Sequence, residues 1–128
     1  MDLKKFYING RFVDPISCEL FDIINPATEK PIGRVALGSP ADVDSAVIAA
    51  RGAFAEASSL TKEDRLEILR TVRENYKKRY KDIAEAVRNE MGAPITLAEG
   101  GQTATGLGHL KTAIEVLEKH KFEYRHGD

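Results

Sequence analysis

One cysteine, three histidines and a run of glycines are the residues of this 128-residue chain whose types could do chemistry. Cys18 could be a nucleophile, but it lies in Pro15-Ile16-Ser17-Cys18-Glu19-Leu20 with an acid beside it and no histidine nearby. An acidic neighbour opposes thiolate formation, so this setting predicts an inert thiol. His109, His120 and His126 stand at no four-residue spacing, and so form no helical metal pair. Gly106-x-Gly108 lacks the third glycine of a dinucleotide loop and follows no strand pattern. Gly101-x-x-x-x-Gly106 is followed by Leu107 where a phosphate loop needs Lys-Ser/Thr. With Gly100, these glycines read as close packing inside a helix. Arg73, Lys77, Lys78, Arg79 and Lys81 form a basic run interrupted by Glu74, Asp82 and Glu85, which reads as a solvated helix face. Glu63, Asp64, Glu67 and Glu90 read as caps or solvated charges, and no acid–base pair emerges.

The elements that carry these residues change period at Ser39. Before it the pattern is short strands and turns. Phe6-Tyr7-Ile8, Asn9-Gly10 and Arg11-Phe12-Val13 predict a hairpin, since Asn-Gly supplies the positive φ angles of a type I′ turn. Phe21 to Ile24 predicts a strand ending at Asn25-Pro26, and Ile32 to Leu37 another, closed by Gly38. After Ser39, with Pro40 and Asp42 completing a start signal, Val43, Ala46, Val47, Ala50 and Phe54 predict one buried helix face. A second helix starts at Thr61 with Asp64 three residues on. Leu69, Tyr76, Tyr80, Ile83 and Val87 form its stripe, with a bend expected near Asp82 and an end at Gly92-Ala93-Pro94. A third stretch, Ile95 to His120, carries Leu107, Leu110, Ile114 and Leu117; its glycines each cost about 1 kcal/mol against Ala in an isolated helix. Phe122-Glu123-Tyr124 alternates like the start of a strand. The predicted class is α+β: a short hairpin and strands over 1–38, three to four helices over 39–120, and a strand start over 121–128.

Composition is that of a globular chain, 42% hydrophobic and 30% charged, and length alone makes one domain the default. A net charge of -1 gives no reason to expect nucleic acid. The longest apolar run, Ala46 to Ala50, is far too short for a membrane span, and the N-terminus lacks a signal-peptide core. With one cysteine and no internal disulfide possible, the cytoplasm is the expected compartment.

Four segments, in order, resemble the N-terminus of the NAD(P)-dependent aldehyde dehydrogenase superfamily. They are Tyr7-Ile8-Asn9-Gly10-Arg11-Phe12-Val13; Ile24-Asn25-Pro26-Ala27-Thr28-Glu29-Lys30-Pro31-Ile32-Gly33; Ala41-Asp42-Val43-Asp44-Ser45-Ala46-Val47 with Ala50-Arg51-Gly52-Ala53-Phe54; and Glu90-Met91-Gly92-Ala93-Pro94. The resemblance runs from about Phe6 to Asp128 and covers only the front part of the family. It implies an α/β, Rossmann-like parent that oxidises aldehydes to carboxylic acids. In that reaction a cysteine thiolate attacks the aldehyde, hydride passes to NAD(P)+, and water cleaves the thioester. The family's nucleophilic cysteine, general-base glutamate, oxyanion-stabilising asparagine and cofactor-binding lysine and glycines come later in such chains. None carries over to a residue here, so the cofactor is NAD or NADP in the parent and none is expected for this chain alone. The resemblance also implies one minor site, a structural monovalent cation bound by the carbonyl of Ile24 and the acid Glu90. Family members often have Asp in the place of Glu90, and the remaining ligand would lie beyond residue 128. Read from the residues alone, Glu90 is a solvated helix-end acid.

Two function classes follow. One is an inactive front segment of an aldehyde-oxidising enzyme, with the aldehyde a substrate of the parent only. The other is a stand-alone helical interaction or oligomerisation module. An unrelated helical scaffold is disfavoured by the ordered motifs. In either class, broad apolar helix faces and a cut-off strand edge predict self-association, with neither nucleic acid nor membrane as partner.

Overall fold

A computed structural model of the chain describes residues 2–17 and 19–127; Cys18 lies outside the described residues. The elements run β1 (Asp2–Leu3), β2 (Phe6–Ile8), β3 (Arg11–Val13), β4 (Glu19–Asn25), β5 (Lys30–Leu37), α1 (Pro40–Ser59), α2 (Lys62–Lys78), α3 (Tyr80–Met91), the short α4 (Ile95–Leu97), a π-helical segment (Ala98–Thr103) and α5 (Ala104–Lys119). Strands come first and helices after, as the α+β pattern requires. The described residues gather into two compact units where length alone leads to one domain. Residues up to 59 with 88–93 form the first, and 60–87 with 94 onward form the second.

In the first unit, β2 and β3 pair antiparallel with Tyr7 opposite Phe12, whose rings meet edge-on at 5.2 Å. Asn9 (φ 52°) and Gly10 (φ 74°) take the positive angles that the hairpin turn needs. β4 and β5 form a second antiparallel pair, from Glu19↔Leu37 to Asn25↔Lys30. Asn25 builds the turn between them: its side-chain oxygen accepts the Ala27 N–H at 2.9 Å and its carbonyl accepts those of Thr28 and Glu29. β1 joins β5 in parallel. Two residues carry no readable period, so the sequence does not announce β1.

α1 begins as its start signal predicts. The Ser39 N–H donates to the Asp42 carboxylate at 2.8 Å, and the Asp42 N–H reaches the Ser39 hydroxyl at 3.4 Å. Its apolar face differs from the expectation. Val43 is 58% exposed, Val47 53% and Phe54 62%, with Ala46 and Ala50 exposed too. Asp42 is the buried residue of this helix. Helical spacing identifies a face that can be buried, but among the described residues of its own unit this face stays exposed.

The second unit meets its expectations more closely. Thr61 and Asp64 form a reciprocal capping box at the start of α2. α2 packs along α5, with Leu66 and Ile114 buried and Leu69, Leu107, Leu110 and Leu117 partly covered. The bend expected near Asp82 falls at Arg79, where α2 ends and Tyr80 begins α3. Asp82 does not cap there, because its carboxylate is held by Arg79 Nε at 2.5 Å. α3 runs on into residues of the first unit and ends at Met91, followed by Gly92 at φ 68°, the left-handed close that the Gly-Ala-Pro signal predicts. Phe122-Glu123-Tyr124 forms no strand. A strand needs a ladder partner, and the described residues give this stretch none; Phe122 instead sits edge-on to His120 at 4.7 Å and beneath Arg65.

Candidate functional site at the β4–β5 turn and the end of α3

Ile24 and Glu90, distant in sequence, sit on segments of the first unit that meet. Gly92 carries the contact: a Cβ there would stand 3.2 Å from Pro26 Cγ and 3.3 Å from the Ala27 nitrogen. A side chain would crowd the turn, and φ 68° already favours glycine. On the β4 side the ladder register shifts between Ile23 and Ile24, so that Ile24 lies opposite Pro31. Proline has no N–H, so Pro31 offers the Ile24 carbonyl no donor. Glu90 is exposed, in the last turn of α3 one residue before its end at Met91. The Ile24 carbonyl and the Glu90 carboxylate belong to the two segments that meet at Gly92. Among the described residues no group of three or more His, Cys, Asp or Glu side chains could hold a metal. Hard cations take several oxygens, so these two could be only part of a ligand set.

A second polar node in this unit is structural. The Asp42 carboxylate accepts the Ser39 hydroxyl at 2.6 Å, the Ser39 N–H, and the Ile16 N–H at 2.9 Å. It therefore ties the loop after β3 to the start of α1. These three donors, the Ser39 hydroxyl foremost, hold its carboxyl below the ordinary carboxylate range against the opposing effect of burial. The capping half of this was legible from Ser39 and Asp42. The bond to Ile16, 26 residues away, has no sequence signal.

In the second unit the glycines resolve individually. Gly106 and Gly108 both lie inside α5, so they form no phosphate-binding loop. Gly106 faces Tyr76, where a Cβ would come within 2.9 Å of Cζ; Gly101 faces the Leu97 side chain; Gly100 and Gly108 face open space. Close packing thus explains Gly106 well and Gly100 and Gly108 not at all. The basic run is largely paired along its own helices: Lys77 with Glu74 at 2.7 Å, Arg79 with Asp82, and Arg73 with Glu74 at 3.9 Å. A cleft of about 600 Å³ between α2 and α5 mixes Arg70, Arg73 and Lys111 with Glu67, Glu74, Glu115 and Glu118. Arg70–Glu118 at 2.9 Å and Lys111–Glu115 at 3.7 Å cross or line it, so charges of both signs pair within it. His120 packs on Phe122, while His109 and His126 are exposed.

None of these arrangements brings a nucleophile, a base and an oxyanion donor together. What they do share is a framework, and that framework matches known proteins. The Aldehyde dehydrogenase family profile matches residues 12–127. The chain belongs to the aldehyde dehydrogenase family. An aldehyde dehydrogenase of Bartonella henselae superposes with a TM-score of 0.94 at 37% identity over 95% of this chain and 26% of its own. Aldehyde dehydrogenase C of Pseudomonas syringae, a mutant complexed with NAD+ and octanal, superposes at 0.94 with 38% identity over 97% and 26%. A Staphylococcus haemolyticus relative, also named among the aldehyde dehydrogenases, is 43% identical over 122 residues, 95% of this chain and 26% of its own length. The chain thus spans about a quarter of the length of these relatives. Among the described residues, no helix is long and apolar enough to cross a membrane.

Proposed function

We propose that this chain is the front part of an oxidoreductase that oxidises aldehydes to carboxylic acids with NAD(P)+, and that alone it turns over no aldehyde. The observation that carries this reading is the pairing of a family match over residues 12–127 with coverage of only 26% of the relatives. NAD(P)+ would accept the hydride in such an enzyme. The residues here would contribute framework: the Asn25 turn, the Gly92 helix end, and the α2–α5 pair. A graft tests this. This chain replaces the matching front quarter of the Pseudomonas syringae enzyme, carrying its native catalytic sequence, and NADH formation with octanal is measured. The graft should be active and the isolated chain inert. A folded but inactive graft would contradict the reading, as would turnover by the isolated chain that Cys18→Ser abolishes. The expected compartment is the cytoplasm.

A specific observation favours a second reading, self-association of the isolated chain as an oligomerisation module. Val43, Val47, Ile48 and Phe54 stand more than half exposed on one helix. Apolar surface of this kind on a folded chain marks an interface.

Ile24 and Glu90 are also proposed as two ligands of a structural monovalent cation, supported by the meeting of the Asn25-Pro26 turn with Gly92. Melting in potassium or sodium chloride is compared with melting in choline chloride at equal ionic strength. The metal ions should raise the melting temperature, and Glu90→Gln should remove the difference. Equal melting in all three salts would sink the site.

A further inference from the structure

The helical stretch from Ile95 to Lys119 contains a wider turn. Residues Ala98–Thr103 are π-helical, and Leu97, Ala98, Thr103 and Ala104 all keep right-handed helical angles, so the chain passes through without a cap or a break. A π turn takes up one more residue than the α-helix it interrupts, and its amides bond five residues back instead of four. Such a turn is the less favourable form of the helix, so something must hold it.

Two tyrosines meet that need. The Tyr76 hydroxyl donates to the Thr103 carbonyl at 2.9 Å, and the Tyr80 hydroxyl donates to the Glu99 carbonyl. The donors are four residues apart across the α2–α3 junction, and so are the acceptors along the π segment. Their rings stand edge-on, centroids 6.4 Å apart, so each fixes the other. Gly106 provides the room: a Cβ there would lie 2.9 Å from Tyr76 Cζ, too close for Tyr76 to reach Thr103. The opposing tendency is also present. Thr103 Oγ1 and Gln102 Oε1, both in the π segment, are buried without a hydrogen-bond partner among the described residues, which opposes the fold there. Gly100 faces open space and anchors nothing.

We propose that residues 98–103 are a one-residue π-bulge held in register by the hydroxyls of Tyr76 and Tyr80, and that loss of those hydroxyls relaxes the segment to continuous α-helix. Relaxation would rotate Ile95–Leu97 against α5 by about 100°, one residue's step. The tyrosine pair thereby sets which face α4, with its exposed Ile95 and Leu97, presents.

The test reads the hydrogen bonds themselves. Scalar couplings across hydrogen bonds, measured by NMR on the whole chain, should link amides of the segment to carbonyls five residues back. In Tyr76→Phe/Tyr80→Phe the same amides should couple four residues back. Retention of the five-residue pattern in that variant would overturn the proposal. A deletion gives a second, independent reading. Removing Gly100 should leave the chain folded, with α couplings throughout and little change in melting temperature. Removing Gly108, which also faces open space but lies in a regular α turn, should lower melting sharply by rotating Ile114 off α2. Equal losses from the two deletions would show that the segment holds no spare residue, and would also overturn it.

Discussion

In α5, Leu107, Leu110, Ile114 and Leu117 recur at helical spacing, and Ile114 is buried where α5 packs on α2. In α1, Val43, Val47 and Phe54 recur in the same way and stand more than half exposed. The two patterns cannot be told apart by period. What differs is that α5 has a neighbour of complementary shape within its unit, and α1 has little beside it but β2. Apolar spacing therefore states which face can be covered, and the chain's other elements decide whether it is.

The largest expected effect breaks this contrast in stability. Ile114→Ala should cost about 2–5 kcal/mol, the range for truncating a buried side chain, whereas Val47→Ala should change the chain, diluted until it is monomeric, by less than about 0.5 kcal/mol. Urea unfolding followed by circular dichroism measures both. Similar losses would mean that α1 is covered after all. Two glycines of α5 sharpen it next. Gly106→Ala meets the Tyr76 ring and should cost about 1–3 kcal/mol. Gly108→Ala meets nothing and should gain up to about 1 kcal/mol from helix propensity. A gain at both positions would remove Tyr76 from the account of Gly106. Smaller again, Thr61→Ala should cost about 1 kcal/mol by removing the cap of α2.

The smallest effect is a pH dependence in the first unit. The folded pKa of Asp42 lies below its unfolded value, so the stability it contributes is present above the ordinary carboxylate range. That contribution is lost as pH falls from there through the lower folded value. Asp42→Asn should flatten this part of the acid limb in a melting series. An unchanged acid limb would show that the bonds to Ser39 and Ile16 contribute no charge-dependent stability.

Much of this was legible in the residues. Asn9-Gly10 announces the hairpin, Ser39 with Asp42 and Thr61 with Asp64 announce two helix starts, and Gly92-Ala93-Pro94 an end. Each is a local signal whose physics lies within a few residues. What escaped is non-local. β1 pairs with β5 across more than thirty residues, the bend falls at Arg79 instead of Asp82, and Phe122–Tyr124 forms no strand because a strand depends on a partner. Tyr76 and Tyr80 read as stripe residues; that their hydroxyls grip a π turn depends on where Thr103 and Glu99 fall in space. The meeting of Ile24 and Glu90 segments at Gly92 was legible only through the family resemblance.

The central claim is that the apolar face of α1, exposed among the described residues, is a surface built to be covered. Light scattering coupled to gel filtration tests it most directly. At tens of micromolar the chain should show a mass well above the monomer value of 14.1 kDa. Val47→Asp/Phe54→Asp should return it to that value without unfolding. A wild-type chain that elutes as a stable monomer across that concentration range would contradict the claim.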